Sequence, residues 1–171
     1  MISVCIPVFN FDVTDLVKAL LLQLEGTSEI VLIDDASTER FQQINRNLTS
    51  DKVKLIELEE NVGRAKIRNL FLEYANNPYL IFLDCDAKII SENYLHNYRM
   101  LLNNDVQVVC GGSVYSEELP SSQQVLRWKY GRIKELKPAE IRALNSYSSF
   151  MTSNFLIEKS LFEKIKFDER V

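Results

Sequence analysis

The first two thirds of the chain alternate between short apolar runs and stretches of helical periodicity, and that alternation narrows the folds open to it. Residues 2–6, 29–33, 53–58, 79–83 and 106–110 are rich in β-branched side chains and mostly lack the apolar–polar alternation of a half-exposed strand. Runs of that kind suit strands covered on both faces. Between them, residues 13–24, 39–48, 63–74 and 92–102 carry helical spacing. N-caps are expected at Asp12 or Thr14, at Ser37 or Thr38, at Asn61 and at Ser91. Strand and helix in turn predict an α/β fold, an open and mainly parallel sheet with right-handed crossovers and helices on both faces.

After Cys110 the rhythm changes. Residues 111–115 can form another short strand and residues 116–122 are loop-like. Residues 123–136 read as a helix bearing Trp128 and Tyr130, broken at Lys137-Pro138 before a short helix over 139–144. A strand over 150–157 and a helix over 158–165 follow. A length of 171 residues suits one domain.

Composition excludes several classes of function. A net charge of −4 argues against nucleic acid as a partner, so an anionic ligand must be held by a few placed cations, helix N-termini or a metal. The opening apolar stretch has no basic region before it and ends at Pro7, unlike a secretory leader. The leucine-rich run over 19–24 falls far below the ~20 residues that a membrane span needs. Cys5, Cys85 and Cys110 are odd in number and widely spaced, which fits neither a disulfide framework nor a zinc site. Reduced thiols and a cytoplasmic home are expected.

Ligands of open parallel sheets bind beyond the carboxyl ends of the strands. The residues found there are Pro7, Phe9 and Asn10, then Asp34 and Asp35, then Asn61 and Gly63, then Asp84 and Asp86. Carboxylates gathered at strand ends repel unless a cation joins them. A hard divalent ion shared with substrate phosphates is one such cation. Alternate residues leaving an extended strand share a face, so Asp84 and Asp86 can converge on one ligand. By themselves Asp84 and Asp86 read more readily as turn caps, and Asp34-Asp35 reads also as a helix-capping turn. Arg68, on the helix after Gly63, is placed to pair with these acids.

Five segments in order resemble glycosyltransferase family 2: Ser3-Val4-Cys5-Ile6-Pro7-Val8-Phe9-Asn10; Val31-Leu32-Ile33-Asp34-Asp35-Ala36-Ser37-Thr38; Asn61-Val62-Gly63 with Arg68-Asn69; the strand ending in Asp84-Cys85-Asp86; and residues 151–157 with Phe162 and the Phe167-Asp168-Glu169 turn. The resemblance covers nearly the whole chain and is weakest over 116–149. It implies a GT-A, Rossmann-like fold, with residues 1–115 as the nucleotide-sugar-binding half and 116–171 as the start of the acceptor-binding half. It also implies an inverting transfer from a nucleotide-diphosphate sugar, a uridine one by preference, to a saccharide or other hydroxyl acceptor. A non-catalytic nucleotide-sugar-binding domain of the same fold is the alternative.

The same resemblance assigns roles. Pro7 and Phe9 border the base, and Asp35 takes a polar edge of uracil or ribose. Arg68 lies near the nucleotide, Asp84 contacts ribose or metal, and Asp86 holds Mn²⁺ or Mg²⁺ against the diphosphate. Ile67 stands where the family has a small residue, and Ala87 where many members have a further acid. The general base is expected beyond Val171, and membrane association of a longer protein is compatible with the pattern. A receiver domain is a poorer match, because Lys137 sits in a charged helical stretch and not at the end of a buried strand.

Overall fold

The computed structural model describes residues 1–102 and 106–170, so Val171, beyond which the base is expected, lies outside the described residues. Strands β1 (Ile2–Val8), β2 (Glu29–Asp34), β3 (Val53–Glu57) and β4 (Tyr79–Leu83) are parallel. β5 (Val108–Cys110) and β6 (Asn154–Glu158) complete a sheet of order β3-β2-β1-β4-β6-β5, in which β6 runs antiparallel to both neighbours. The helices are α1 (Thr14–Leu21), α2 (Glu39–Arg46), α3 (Arg64–Tyr74), α4 (Tyr94–Leu101), α5 (Val125–Tyr130), α6 (Ala139–Leu144) and α7 (Lys159–Ile165).

Successive residues of a strand point to opposite faces, and both faces of this sheet are covered. Val4, Ile6, Ile30, Leu32 and Ile81 pack on one side with Leu16 and Leu20 of α1 and Leu95 of α4. Cys5, Val31, Ile33, Leu80 and Phe82 pack on the other with Ile67 and Phe71 of α3 and Phe162 of α7. This is why the strand runs lack alternation. Each fully buried side chain of this size contributes about 1.5–3 kcal/mol.

β6 is the element that sequence order misplaces. It enters between β4 and β5, pairing Phe82 with Phe155, and these rings stack at 4.9 Å with planes 12° apart. Such a cross-strand aromatic pair adds about 0.2–1 kcal/mol and holds the register. The strand begins at Asn154 and not at residue 150, and residues 111–115 form no strand. The expected cap Asn61 does not cap α3; Gly63 occupies that position at φ +83, a value that favours glycine.

The helix expected over 123–136 is α5 followed by a π-helical turn, Gly131–Glu135, closed by the Leu136 N–H on the Gly131 carbonyl. The Tyr115 ring lies against Gly131 where a Cβ would stand, so only glycine fits there. Trp128 is half-buried, donating Nε1–H to the Ser116 carbonyl at 2.8 Å. Neither α5 nor α6 buries a residue, so this segment is no part of the core.

Candidate functional site

The carboxyl ends of β2 and β4 flank that of β1, and the loops leaving these strands are tied together by polar contacts. Asn10 and Ala36 adopt the left-handed region at φ +50 and +60, a conformation that costs alanine about 1–2 kcal/mol and asparagine less. The Asn10 N–H donates to Ser37 Oγ at 2.8 Å, and its own Oδ1 accepts from the Thr38 N–H at 2.8 Å. Buried Asn45 of α2 donates to the Phe11 carbonyl and accepts from the Val13 N–H. The loop that carries Phe9 and Phe11 is thereby fixed against the β2 loop and α2.

Two adjacent aspartates at the end of β2 do different things. Asp34 is fully buried, and its Oδ1 accepts from the Ser37 N–H at 2.6 Å. Asp35, 5% exposed, accepts the backbone N–H groups of Val62 and Gly63 at 2.7 and 3.1 Å. Its carbonyl also accepts from Asn61 Nδ2. A carboxylate just ahead of α3 satisfies donors there and complements the helix dipole.

Arg68 is 8% exposed; its Nη2 donates to Asp84 Oδ1 at 2.6 Å and its Nη1 to the Arg64 carbonyl. The guanidinium lies 5.7 Å from the centre of the Phe167 ring. Asn69, the next residue, donates to the Phe167 carbonyl and to Glu169 and accepts from the Phe167 N–H. The Arg68-Asn69 pair and the Phe167-Asp168-Glu169 turn are therefore one contact. Past Asp84 the chain turns, with the Ala87 N–H on the Asp84 carbonyl, so the strand does not stay extended as far as Asp86.

These loops enclose a cleft of about 540 Å³, within the range of small-molecule sites. All six residues singled out from the sequence, Pro7, Phe9, Asp35, Arg68, Asp84 and Asp86, line it. Phe11, Asn61, Gly63, Arg64 and Cys85 line it as well. Arg64 reads from sequence as a solvated helix residue, and its place at the first turn of α3 is the signal for its role. Burial pushes the Cys85 thiol up, with the Asp86 and Asp84 charges adding to the effect, so it stays a neutral wall group.

Chemically, the lining combines apolar Phe9, Phe11 and Pro7 with the cations Arg64 and Arg68 and the acids Asp84 and Asp86, of which Arg68 and Asp84 are paired. Arg68 already offsets Asp84, while Asp86 accepts no hydrogen bond among the described residues. A divalent cation bound by one or two carboxylates and completed by ligand phosphates fits that donor set. Among the described residues no three His, Cys, Asp or Glu side chains gather into a complete metal cage. Trp128, Tyr130 and His96 do not line the cleft. Asp168 is held below the usual carboxylate range by Arg170, outside the cleft.

The sequence model of the family described as "Glycosyl transferase family 2" matches residues 3–166. An uncharacterized glycosyltransferase of Haemophilus influenzae is 28% identical over 171 residues, covering 98% of this chain and 66% of its own length. The Escherichia coli UDP-Glc:alpha-D-GlcNAc-diphosphoundecaprenol beta-1,3-glucosyltransferase WfgD is 25% identical over 113 residues, covering 65% of this chain and 45% of the relative. A mannosyltransferase of Pyrobaculum calidifontis, solved with GDP-Man and Mn²⁺, superposes with a TM-score of 0.71 at 20% identity, over 99% of this chain and 48% of that one. The chain thus spans about half to two thirds of the length of these proteins.

Proposed function

Since the chain belongs to glycosyltransferase family 2, we propose that its cleft binds the nucleoside diphosphate of a sugar donor, a uridine-diphosphate sugar by preference, for transfer to a saccharide acceptor. The observation that carries this reading is the convergence on one cleft of an aromatic wall, two arginines and the uncommitted carboxylate of Asp86. Pro7 and Phe9 flank the base, and Asp35, fixed by two backbone N–H groups, faces a polar edge of base or ribose. Arg64 and Arg68 approach the phosphates. Asp86, with the free oxygen of Asp84, would hold Mn²⁺ or Mg²⁺; such an ion offsets the charge that builds on the departing diphosphate.

The acceptor hydroxyl attacks the anomeric carbon in line, inverting it, as a carboxylate base takes its proton. Among the described residues neither Asp168 nor Glu169 is assigned that role, since one pairs with Arg170 and the other accepts from Asn69. The E. coli relative, a glucosyltransferase named for a diphosphoundecaprenol-linked acceptor, supports a lipid-linked saccharide as acceptor here. No helix among the described residues is long and apolar enough to cross a membrane.

Calorimetry with uridine diphosphate tests the donor reading. Affinity should be measurable with Mn²⁺ and fall at least about tenfold with a chelator, since hard divalent ions bridge carboxylate and phosphate. Asp86→Asn should abolish that difference, and Asp35→Ala should weaken binding with and without metal. Equal affinity in both conditions would remove the metal from the mechanism, and no uridine diphosphate binding at all would overturn the donor assignment.

A further inference from the structure

Residues 123–147 are built unlike the rest of the molecule. Leu126 is 78% exposed and Ile133 72%, and beyond them Leu144 and Tyr147 are more exposed still. Leu126, Tyr130 and Ile133 stand at i, i+4 and i+7 along α5 and its π-helical continuation, which places them on one stripe. By the same spacing Arg127 and Lys134 fall on one side of that stripe, and Lys129 and Arg132 on the other. Residues 123–144 hold six Lys and Arg against two Glu, a net +4 inside a chain of net −4. Arg127 is committed to Glu135, and Arg132 lies over the Trp128 ring at 4.8 Å. Lys129, Lys134 and Lys137 have no ion pair among the described residues.

We propose that this segment docks the protein on an anionic phospholipid bilayer, with Leu126, Tyr130 and Ile133 entering the boundary between headgroups and acyl chains. Lys129, Lys134 and Lys137 then lie among the lipid phosphates. An apolar stripe bordered by cations is the pattern of a helix that lies in the membrane surface. A second copy of this chain fits worse, because it would set +4 against +4. A nucleic acid would satisfy the lysines and leave Leu126 and Ile133 in water. The inference is independent of the donor-site reading, since none of these residues lines that cleft.

Sedimentation of the full-length protein with lipid vesicles tests it. The protein should pellet with vesicles of phosphatidylcholine and phosphatidylglycerol, stay in solution with phosphatidylcholine alone, and be released as salt is raised. Removing charge as Lys129→Gln, Lys134→Gln and Lys137→Gln together should lower the partition by about a hundredfold, at roughly fivefold per cation. Leu126→Ser with Ile133→Ser should lower it about as much. Both variants change exposed or half-buried side chains outside the cleft, so the urea midpoint should be unchanged and serves as the folding control. Failure to bind the anionic vesicles, equal binding to neutral ones, or variants that partition like the parent would each overturn the proposal. So would an oligomer in water that Leu126→Ser with Ile133→Ser dissolves, or binding to a DNA oligonucleotide in place of vesicles.

Discussion

At the scale of single residues, the site's loops hold two strained positions that differ in what keeps them there. Ala36 sits at φ +60 with neighbours that over-determine it: the Ser37 N–H is bound by Asp34, and Ser37 Oγ by Asn10. Its methyl gains nothing from the conformation. Ala36→Gly removes a penalty of about 1–2 kcal/mol and adds about 0.4–1 kcal/mol of chain entropy to lose, for a net gain of about 0.5–1 kcal/mol. Asn10, at φ +50, uses its side chain to accept the Thr38 N–H. Asparagine visits this region readily, so Asn10→Gly relieves little strain, loses a hydrogen bond worth about 0.5–1.5 kcal/mol, adds about 0.4–1 kcal/mol of chain entropy to lose, and should destabilise. Urea midpoints of the two variants should move in opposite directions, and a shared direction would show that backbone strain does not distinguish them.

Among elements, α4 is fastened to the antiparallel end of the sheet by two tyrosines. Tyr94 and Tyr98 both donate to Asn154 Oδ1 at 2.8 Å, while Asn154 Nδ2 donates to the Gly112 carbonyl. Gly111 leaves them room, since a Cβ there would stand 2.3 Å from the Tyr98 hydroxyl oxygen. Burial pushes both phenols well up, because a phenolate there would lose its water. Above a pH of about 10 the unfolded chain releases these protons while the folded one keeps them, so stability falls as pH rises from that point. Tyr94→Phe with Tyr98→Phe should cost about 1–3 kcal/mol near neutrality. The double variant should also lose less stability than the parent between mildly and strongly alkaline buffer. Urea midpoints across that range decide it; parallel curves would mean that these two phenols do not govern the alkaline loss.

For the whole molecule, stability is unevenly spread. β1, β2 and β4 are buried on both faces, whereas α5 and α6 bury nothing, and Leu126, Ile133 of the π-helical turn and Leu144 stand in water. Segments with few buried contacts open at far lower free energy than the core. Amide exchange should be fast across residues 123–145 and slowest in β1, β2 and β4, with anionic vesicles slowing it in the first segment alone. Uniform protection along the chain in plain buffer would contradict that division.

The reach of the sequence follows from which signals are local. Continuous β-branched runs announce strands covered on both faces; strand ends point to Pro7, Phe9, Asp35, Asp84 and Asp86, and the resemblance of the Asn61-Val62-Gly63 and Arg68-Asn69 segment adds Arg68. Partnership is not local. A strand that runs antiparallel looks the same along the chain as one that runs parallel, so the place of β6 between β4 and β5 is visible only in the pairing itself, with Phe155 stacked on Phe82. Asp35 satisfies backbone donors 27 and 28 residues away, and Asn69 grips Phe167 across 98 residues. Those contacts depend on how loops meet in space. Residues 123–136 show the same division: their helical spacing was legible, but an apolar stripe is read as core until packing shows that the sheet never meets it.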